Sequence, residues 1–298
     1  MPAKLTLHPP ERAPRVVVIR DGENLEIGRD FSCDLVLEDP SVSRRHARLG
    51  WNGVGWTLVD VGSKNGTTVN GGPARGAELQ DGDWIGFGRL RGRFERLSAT
   101  QAAALDSERL ARIQSSAQMR RRLSPDLGPA DLLVRLLESA MELTRSERGF
   151  VLVMGPDGKL QVKVASGFSP AALGEERFRG SVGAARQVLE TGAAVVLADV
   201  RADPRLGKRP SVAALGIASL ACVPLRQDGR ILGLIYVDSR TLGPRFTQLD
   251  FEILEALADH AATILAGSPF DHNTRVLPAD GAVIAALQHT LEELLPAG

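Results

Sequence analysis

Three short segments near the N-terminus concentrate side chains that bind charge. They are Ile27-Gly28-Arg29, Ser41-Val42-Ser43-Arg44-Arg45-His46 and Gly62-Ser63-Lys64-Asn65-Gly66-Thr67-Thr68-Val69-Asn70. Arg29, Arg44 and Lys64 supply positive charge, Ser43 a hydroxyl donor, and Asn65 an amide able to grip a peptide backbone. None of these groups pairs an activated nucleophile with a positioned base. Cationic and neutral donors without a catalytic pair make an oxyanion receptor, and a doubly charged phosphate is its natural guest.

The elements that must position these groups are short. Residues 15–97 are apolar runs such as Arg15–Arg20, Trp56–Asp60 and Trp84–Gly88, cut by Gly, Asn and Asp at intervals of about eight to twelve residues, the rhythm of an all-β sandwich. Asp21-Gly22, Asn52-Gly53, Asn65-Gly66 and Asp81-Gly82 suit turns that need a positive φ. The three segments then fall at strand ends or in loops and can converge on one rim. From Ser98 the texture changes to an Ala-, Leu-, Arg- and Gln-rich stretch free of Gly and Pro, a helical linker with only a thin apolar stripe of Leu105, Leu110 and Ile113. An exposed linker and one half of a two-chain coil are both open. The remainder alternates helices with strands and predicts an α+β domain built on an antiparallel sheet. The domain plan is 1–98 for the sandwich, 99–128 for the linker, 129–267 for the α+β domain and 268–298 for a tail with an amphipathic helix. In that helix Ile284, Leu287, Leu291 and Leu294 form one stripe. Docking on the adjacent domain is favoured over a partner contact.

Composition bounds the function. Thirty-six Lys+Arg balance thirty-six Asp+Glu, so no global field recruits nucleic acid or an anionic membrane. The longest apolar stretch, 231–237, is far shorter than the roughly 20 residues that span a bilayer. The first fifteen residues lack an apolar signal core. Cys33 and Cys222 are too few for a disulfide framework or a zinc site. A cytoplasmic, reduced location is expected.

The first domain resembles the forkhead-associated (FHA) domain, a β-sandwich that binds phosphothreonine peptides. The resemblance is carried by Gly28-Arg29, by Ser43 and His46 three apart, by Asn65-Gly66-Thr67 with Asn70, and by the Gly82–Gly88 segment Gly-Asp-Trp-Ile-Gly-Phe-Gly. It implies that Arg29 and Ser43 hold the phosphate and that Arg44 assists there or at the neighbouring peptide backbone. Lys64 and Asn65 are implied to line the loop, with Asn65 on the peptide backbone. Lys64 stands where the family very often has threonine. His46 is implied to be architectural, holding Ser43 in place, and Gly28, Gly66 and Asn70 to shape turns. The family's preference for phosphothreonine over phosphoserine rests on an apolar niche for one methyl group, worth about 0.8 kcal/mol.

The second domain resembles the GAF domain, a small-molecule sensing and dimerisation fold. Glu147–Leu152, Leu197–Val200, Ser219–Leu225, Gly233–Asp238 and Phe246-Thr247 carry that resemblance. The Asn-Lys…Phe…Asp-Glu signature of the cyclic-nucleotide-binding members is absent. Cys222 lies in an apolar strand and reads as a small hydrophobe. No cofactor is expected.

The combined expectation is a non-enzymatic signalling adaptor. Its first domain docks a phosphothreonine-bearing protein, such as a Ser/Thr kinase or its substrate, and its second senses an unidentified small ligand or forms a homodimer. Nucleic acid and membrane are not expected partners. One alternative makes the GAF-like half an enzyme, with Asp199, Asp238 and His260 as acid–base candidates. A second is a nucleic-acid regulator using Arg120-Arg121-Arg122. Arg201, Arg205, Lys208 and Arg209 read as a solvated loop, with closure over an anion as the sharper option. Thr274, with Leu277 three residues on, is a conceivable internal ligand for the first domain.

Overall fold

Alternation in Ala3-Lys4-Leu5-Thr6-Leu7-His8 puts Ala3, Leu5 and Leu7 on one face, all almost fully buried. This segment is strand β1 (Ala3–His8), so the sandwich begins a dozen residues before the stretch that the turn rhythm marks out. A computed structural model describes residues 1–9, 12–155, 157–168, 179–197, 217–240, 246–267 and 281–294. The chain divides into two compact units, Met1–Arg112 and Ile113–Gly298.

The first unit is a sandwich of two sheets. One is built from β1, β2 (Arg15–Ile19), β7 (Thr67–Val69), β8 (Gly72–Pro73), β10 (Trp84–Phe87) and β11 (Leu90–Arg96), in the order β2-β1-β11-β10-β7-β8. The other holds β3 (Leu25–Gly28), β4 (Leu35–Val36), β5 (Ala47–Trp51), β6 (Trp56–Asp60) and β9 (Arg75–Glu78), in the order β4-β3-β5-β6-β9. All pairings are antiparallel except β3 with β4. The inner faces meet in a core of Leu5, Leu7, Ile19, Ile27, Leu49, Trp56, Leu58, Phe87 and Phe94. Trp56 packs edge-on against Phe94 at 6.3 Å and donates its indole N–H to the Met1 carbonyl (3.0 Å). Gly22, Gly53, Gly66 and Gly82 all adopt positive φ, as the turn dipeptides require.

Helix α1 (Ala99–Arg122) contains the boundary between the two units. Its Leu110 and Ile113 are exposed, whereas Ser116 and Met119 are buried in the second unit. Arg122 ends in an ion pair with Glu142 (2.9 Å).

The second unit runs α2 (Pro129–Thr144), β12 (Arg148–Met154), β13 (Leu160–Ser166), α3 (Arg179–Thr191), β14 (Val195–Leu197), β15 (Ser219–Gln227), β16 (Arg230–Ser239), α4 (Gln248–Gly267) and α5 (Gly281–Leu294). Its antiparallel sheet has the order β13-β12-β16-β15-β14. The fold is thus an all-β sandwich followed by an α+β domain. Asp228 and Gly229, at φ 50° and 77°, turn β15 directly into β16. Helix α4 opens with Thr247 and Asp250 capping each other: Thr247 Oγ1 donates to Asp250 Oδ2 at 2.8 Å, and the Asp250 amide returns to Thr247 Oγ1 at 3.4 Å. Leu254, Leu257, Ala258, Ala261 and Leu265 form its buried face. Among the described residues no helix is long and apolar enough to cross a membrane.

Helix α5 buries Val283, Ile284 and Leu287 in the same core as Phe150, Leu152, Tyr236 and α3. Gln288 fixes its height. The Val162 amide donates to Gln288 Oε1 (2.8 Å) and Gln288 Nε2 donates to the Leu160 carbonyl (3.0 Å). A side-chain amide here takes the place that a neighbouring strand would have along the free edge of β13. Gln288→Ala therefore destabilises the second unit by about 1–2 kcal/mol, since a part-buried strand amide loses its acceptor. The expected drop in melting temperature is about 2–5 °C. A thermal melt of the full chain that is unmoved would show that α5 is not held by this clamp.

Candidate functional site

Each of three loops at one end of the sandwich is stapled by an aspartate that accepts the amide two residues on. Asp30 Oδ1 takes the Ser32 amide (3.0 Å), Asp39 Oδ1 the Ser41 amide (2.7 Å) and Asp60 Oδ1 the Gly62 amide (2.9 Å). Asp60 does most. It also accepts the Ser63 amide (2.8 Å), the Ser63 hydroxyl (2.5 Å) and the Thr67 hydroxyl (2.6 Å). Burial opposes its ionisation, but these hydrogen bonds outweigh that and hold its carboxyl well below the ordinary carboxylate range.

The stapled loops bring Arg29, Ser43, Arg44, Lys64 and Asn65 to one open groove of about 650 Å³, with Asp30 and Ser41 also in its wall. Main-chain bonds bring the first two loops together: the Arg29 amide donates to the Ser43 carbonyl (2.9 Å) and the Asp30 amide to the Arg44 carbonyl (3.0 Å). That approach explains Gly28, which ends β3 rather than lying in a turn. A Cβ on it would sit 2.0 Å from the Arg44 carbonyl oxygen. No side chain fits there.

Ser43 is held from two sides. Its backbone N–H donates to His46 Nδ1 (3.0 Å), and its Oγ accepts the Lys64 amide (2.9 Å). With its oxygen already engaged, the hydroxyl hydrogen is free to be given to a guest in the groove. His46 is fully buried, and its Nε2 faces the Gly66 carbonyl at 3.2 Å. Because the Ser43 amide can only donate and the Gly66 carbonyl can only accept, the ring must carry its proton on Nε2. Burial pushes the His46 pKa down against the pull of that carbonyl, keeping the ring neutral. Gly66 adopts φ 78° and Asn70 φ 50°. Asn70 ties the β7–β8 turn to β10 by donating to Asp83 Oδ1 (2.8 Å) and accepting the Trp84 amide (3.0 Å).

The cations of the groove differ in how free they are. Arg45 is committed to Glu26. Arg29, Arg44 and Lys64 have no salt bridge among the described residues; Arg29 spends only its Nε, on the Val42 carbonyl (3.2 Å). Asn65 spends one donor on the Ser41 carbonyl (2.7 Å) and keeps its amide oxygen. Free guanidinium edges, an ammonium and a hydroxyl donor around one hollow are the chemistry of a dianion site.

Of the other sequence candidates, those among the described residues are engaged within the fold. Asp238 is fully buried, with Arg148 Nε and a terminal nitrogen on its Oδ1 at 2.8 and 2.6 Å. Burial pushes its carboxyl up and Arg148 counters. His260 Nε2 faces the Leu123 carbonyl (3.1 Å). Cys222 is fully buried, which pushes its thiol up and away from reactivity. Asp199, the Arg201–Arg209 cluster, Thr274 and Leu277 lie outside the described residues. No metal-binding group of His, Cys, Asp and Glu occurs among the described residues. The sequence alone assigned no role to Asp30, Asp39, Asp60 or Ser41. Their signal was present as Asp-x-Ser or Asp-x-x-Ser at each loop.

Family models match both units. Residues 25–88 match the family model of the FHA domain and residues 126–266 that of the GAF domain. Among curated relatives, an oxoglutarate dehydrogenase inhibitor of Corynebacterium jeikeium is 45% identical over 71 residues, 24% of this chain and 49% of that protein. The FHA domain-containing protein FhaA of Mycobacterium tuberculosis is 40% identical over 84 residues, 28% of this chain and 16% of its own length. The chain thus spans between about a sixth and a half of these relatives. A solved structure described as an analysis of phosphothreonine-dependent FHA domain interactions is 35% identical, covering 32% of this chain and 98% of that one, with a TM-score of 0.29. The chain carries an FHA domain followed by a GAF domain.

Proposed function

We propose that the FHA domain binds phosphothreonine-bearing proteins through Arg29, Ser43, Arg44, Lys64 and Asn65, and that the chain is a non-enzymatic adaptor. The observation that carries this reading is the groove itself. It holds three cations that have no salt bridge among the described residues, beside a serine whose hydroxyl hydrogen is left to donate. Arg29 and Ser43 grip the phosphate, Arg44 and Lys64 add charge, and Asn65 takes the peptide backbone. Gly28, His46, Gly66 and Asn70 keep those groups in place. The GAF domain senses a small ligand or forms a homodimer, and the units work at the limits 1–98, 99–128, 129–267 and 268–298 in a cytoplasmic setting. The partner belongs to a Ser/Thr-kinase pathway. Relatives of the FHA half are named as an inhibitor and a glycogen accumulation regulator, which suits a binding rather than a catalytic role.

Calorimetric titration of the full chain with matched phosphothreonine, phosphoserine and unphosphorylated peptides tests this. The phosphothreonine peptide is expected to bind several-fold more tightly than the phosphoserine one, and the unphosphorylated one not measurably. Affinity should fall below about pH 6, where the phosphate takes up its second proton. Protonation of His46 would act in the same direction, because the charged ring has no acceptor left for the Ser43 amide. Equal binding of phosphorylated and plain peptides would refute the site.

A further inference from the structure

Strand alternation puts Trp84 of β10 and Arg91 and Arg93 of β11 on the outer face of their sheet, opposite the buried Ile85 and Phe94. Trp84 stands directly across from Arg93, and Gly86 directly across from Arg91. Trp84 is 48% exposed, although an indole is costly to leave in water. It is not loosely held. Its amide donates to Asn70 Oδ1 (3.0 Å), and its ring lies against the His8 imidazole with centroids 5.7 Å apart. Gly86 makes room for a charge beside it: a Cβ there would sit 2.6 Å from Arg91 Nη1, so only glycine lets that guanidinium rest on the strand. Arg91 and Arg93 are exposed and have no salt bridge among the described residues. The nearby acids are already engaged. Glu95 pairs with Lys4 (2.7 Å), Asp81 accepts the Arg96 amide (2.8 Å) and Asp83 accepts Asn70 Nδ2 (2.8 Å). The lining of the phosphate groove includes neither Trp84 nor the two arginines.

We propose that this face is a second docking surface, separate from the groove, for an acidic protein segment that needs no phosphate. Charge complementarity selects the occupant: two guanidinium groups without acids of their own call for two carboxylates. Geometry sets their spacing. Arg91 and Arg93 are alternate residues of one strand, so their Cα atoms are about 7 Å apart and their side chains leave the same face. Alternate residues of an extended partner segment have the same spacing and also share a face, whereas adjacent ones point to opposite sides. An aliphatic side chain beside the acidic pair covers the Trp84 ring and removes apolar surface from water. Tryptophan and arginine are the residue types that most often dominate binding energy at protein interfaces. A nucleic acid fits less well. Glu95 lies two residues beyond Arg93 and Asp83 immediately before Trp84, and both repel a chain that is charged at every unit.

The test titrates the full chain with three unphosphorylated peptides, followed by tryptophan fluorescence and calorimetry. One carries leucine beside two glutamates at alternate positions, the second has glutamines in their place, and the third has the two glutamates adjacent. The first is expected to bind about fivefold more tightly than either twin at low salt, with the margin shrinking as salt is added. In R91Q/R93Q that ratio falls to about one. W84A weakens the first peptide about as much, by loss of the apolar contact. Both variants keep the wild-type melting temperature, and a phosphothreonine peptide binds them as it binds the wild type. Equal binding of the three peptides, a ratio that survives in R91Q/R93Q, or a parallel fall in phosphothreonine affinity would overturn the proposal. So would an oligothymidylate that binds more tightly than the acidic peptide and is lost in R91Q/R93Q, which would assign the face to nucleic acid. Self-association of the wild type that disappears in R91Q/R93Q would assign it to a second copy of the chain, with the same result.

Discussion

Replacing Arg29 by alanine lowers the affinity for a phosphothreonine peptide by about a hundredfold and leaves the fold intact. The guanidinium spends a single hydrogen bond on the protein, from Nε to the Val42 carbonyl, and has no salt bridge among the described residues. Its terminal nitrogens are therefore uncommitted. The bond that joins the loops, from the Arg29 amide to the Ser43 carbonyl, belongs to the main chain and survives the substitution. A change in stability within about 0.5–1 kcal/mol is expected. Removing one partner of a desolvated charge pair costs about 2–5 kcal/mol of binding, and every 1.4 kcal/mol is tenfold. Arg29→Lys keeps the charge but loses the planar fork, so it should recover only part of the affinity. Calorimetry at fixed salt, beside a thermal melt of the same samples, separates the two effects. Undiminished binding by the alanine variant would remove Arg29 from the site.

The groove residues were legible in the sequence because their types are uncommon together and their spacing is fixed by strand ends. Gly28-Arg29, Ser43 with His46, and Asn65-Gly66 each mark a place where the backbone must turn or approach closely. The turn glycines were legible for the same steric reason. The scaffold beneath the site was not. Asp30, Asp39 and Asp60 act by accepting amides within their own loops, and a single aspartate in a polar loop has no periodicity to betray it. Only the repetition of Asp followed two or three residues later by Ser shows the pattern. Strand β1 was masked differently. Its alternation is clean, but a single run of six residues ahead of Pro9 carries no turn partner in the sequence to announce it as the strand between β2 and β11. In the second unit, helix α2 buries Leu132 and Leu136 beside Leu133 and Leu137, with Val134, Met141 and Thr144 only half-buried. The apolar run there is wide enough to fit two neighbouring faces, and the helices and strands packed on it decide between them. The role of Gln288 depended on a pairing across about 126 residues, which local sequence does not encode.

The same loop scaffold leads to the second large effect, at a residue outside the groove lining. Asp60→Asn should destabilise the first unit by about 2–4 kcal/mol at pH 7, since charge-assisted hydrogen bonds contribute about 1.5–3 kcal/mol each and not all of these are fully desolvated. The amide nitrogen that replaces Oδ2 would face the Ser63 and Thr67 hydroxyls as a donor, forcing both to turn. Peptide affinity should fall too, by about tenfold or more, because the loop from Asp60 to Thr67 sets the Lys64 amide that holds Ser43 Oγ. Acid distinguishes this from a general packing defect. The Asp60 carboxyl titrates below its unfolded value of about 3.9, so its contribution is fully present above that pH. It is lost as pH falls towards the folded value. The gap in denaturation midpoint between wild type and Asp60→Asn should therefore be widest near neutrality and narrow steadily below about pH 4, as the wild-type carboxyl loses its advantage. A gap that stays constant down to pH 3 would mean that the ionised carboxylate does not hold the loop. In that case the order of the groove would have to come from its other contacts, the main-chain bonds of Arg29 and Asp30 to Ser43 and Arg44 and the Ser43 amide on His46.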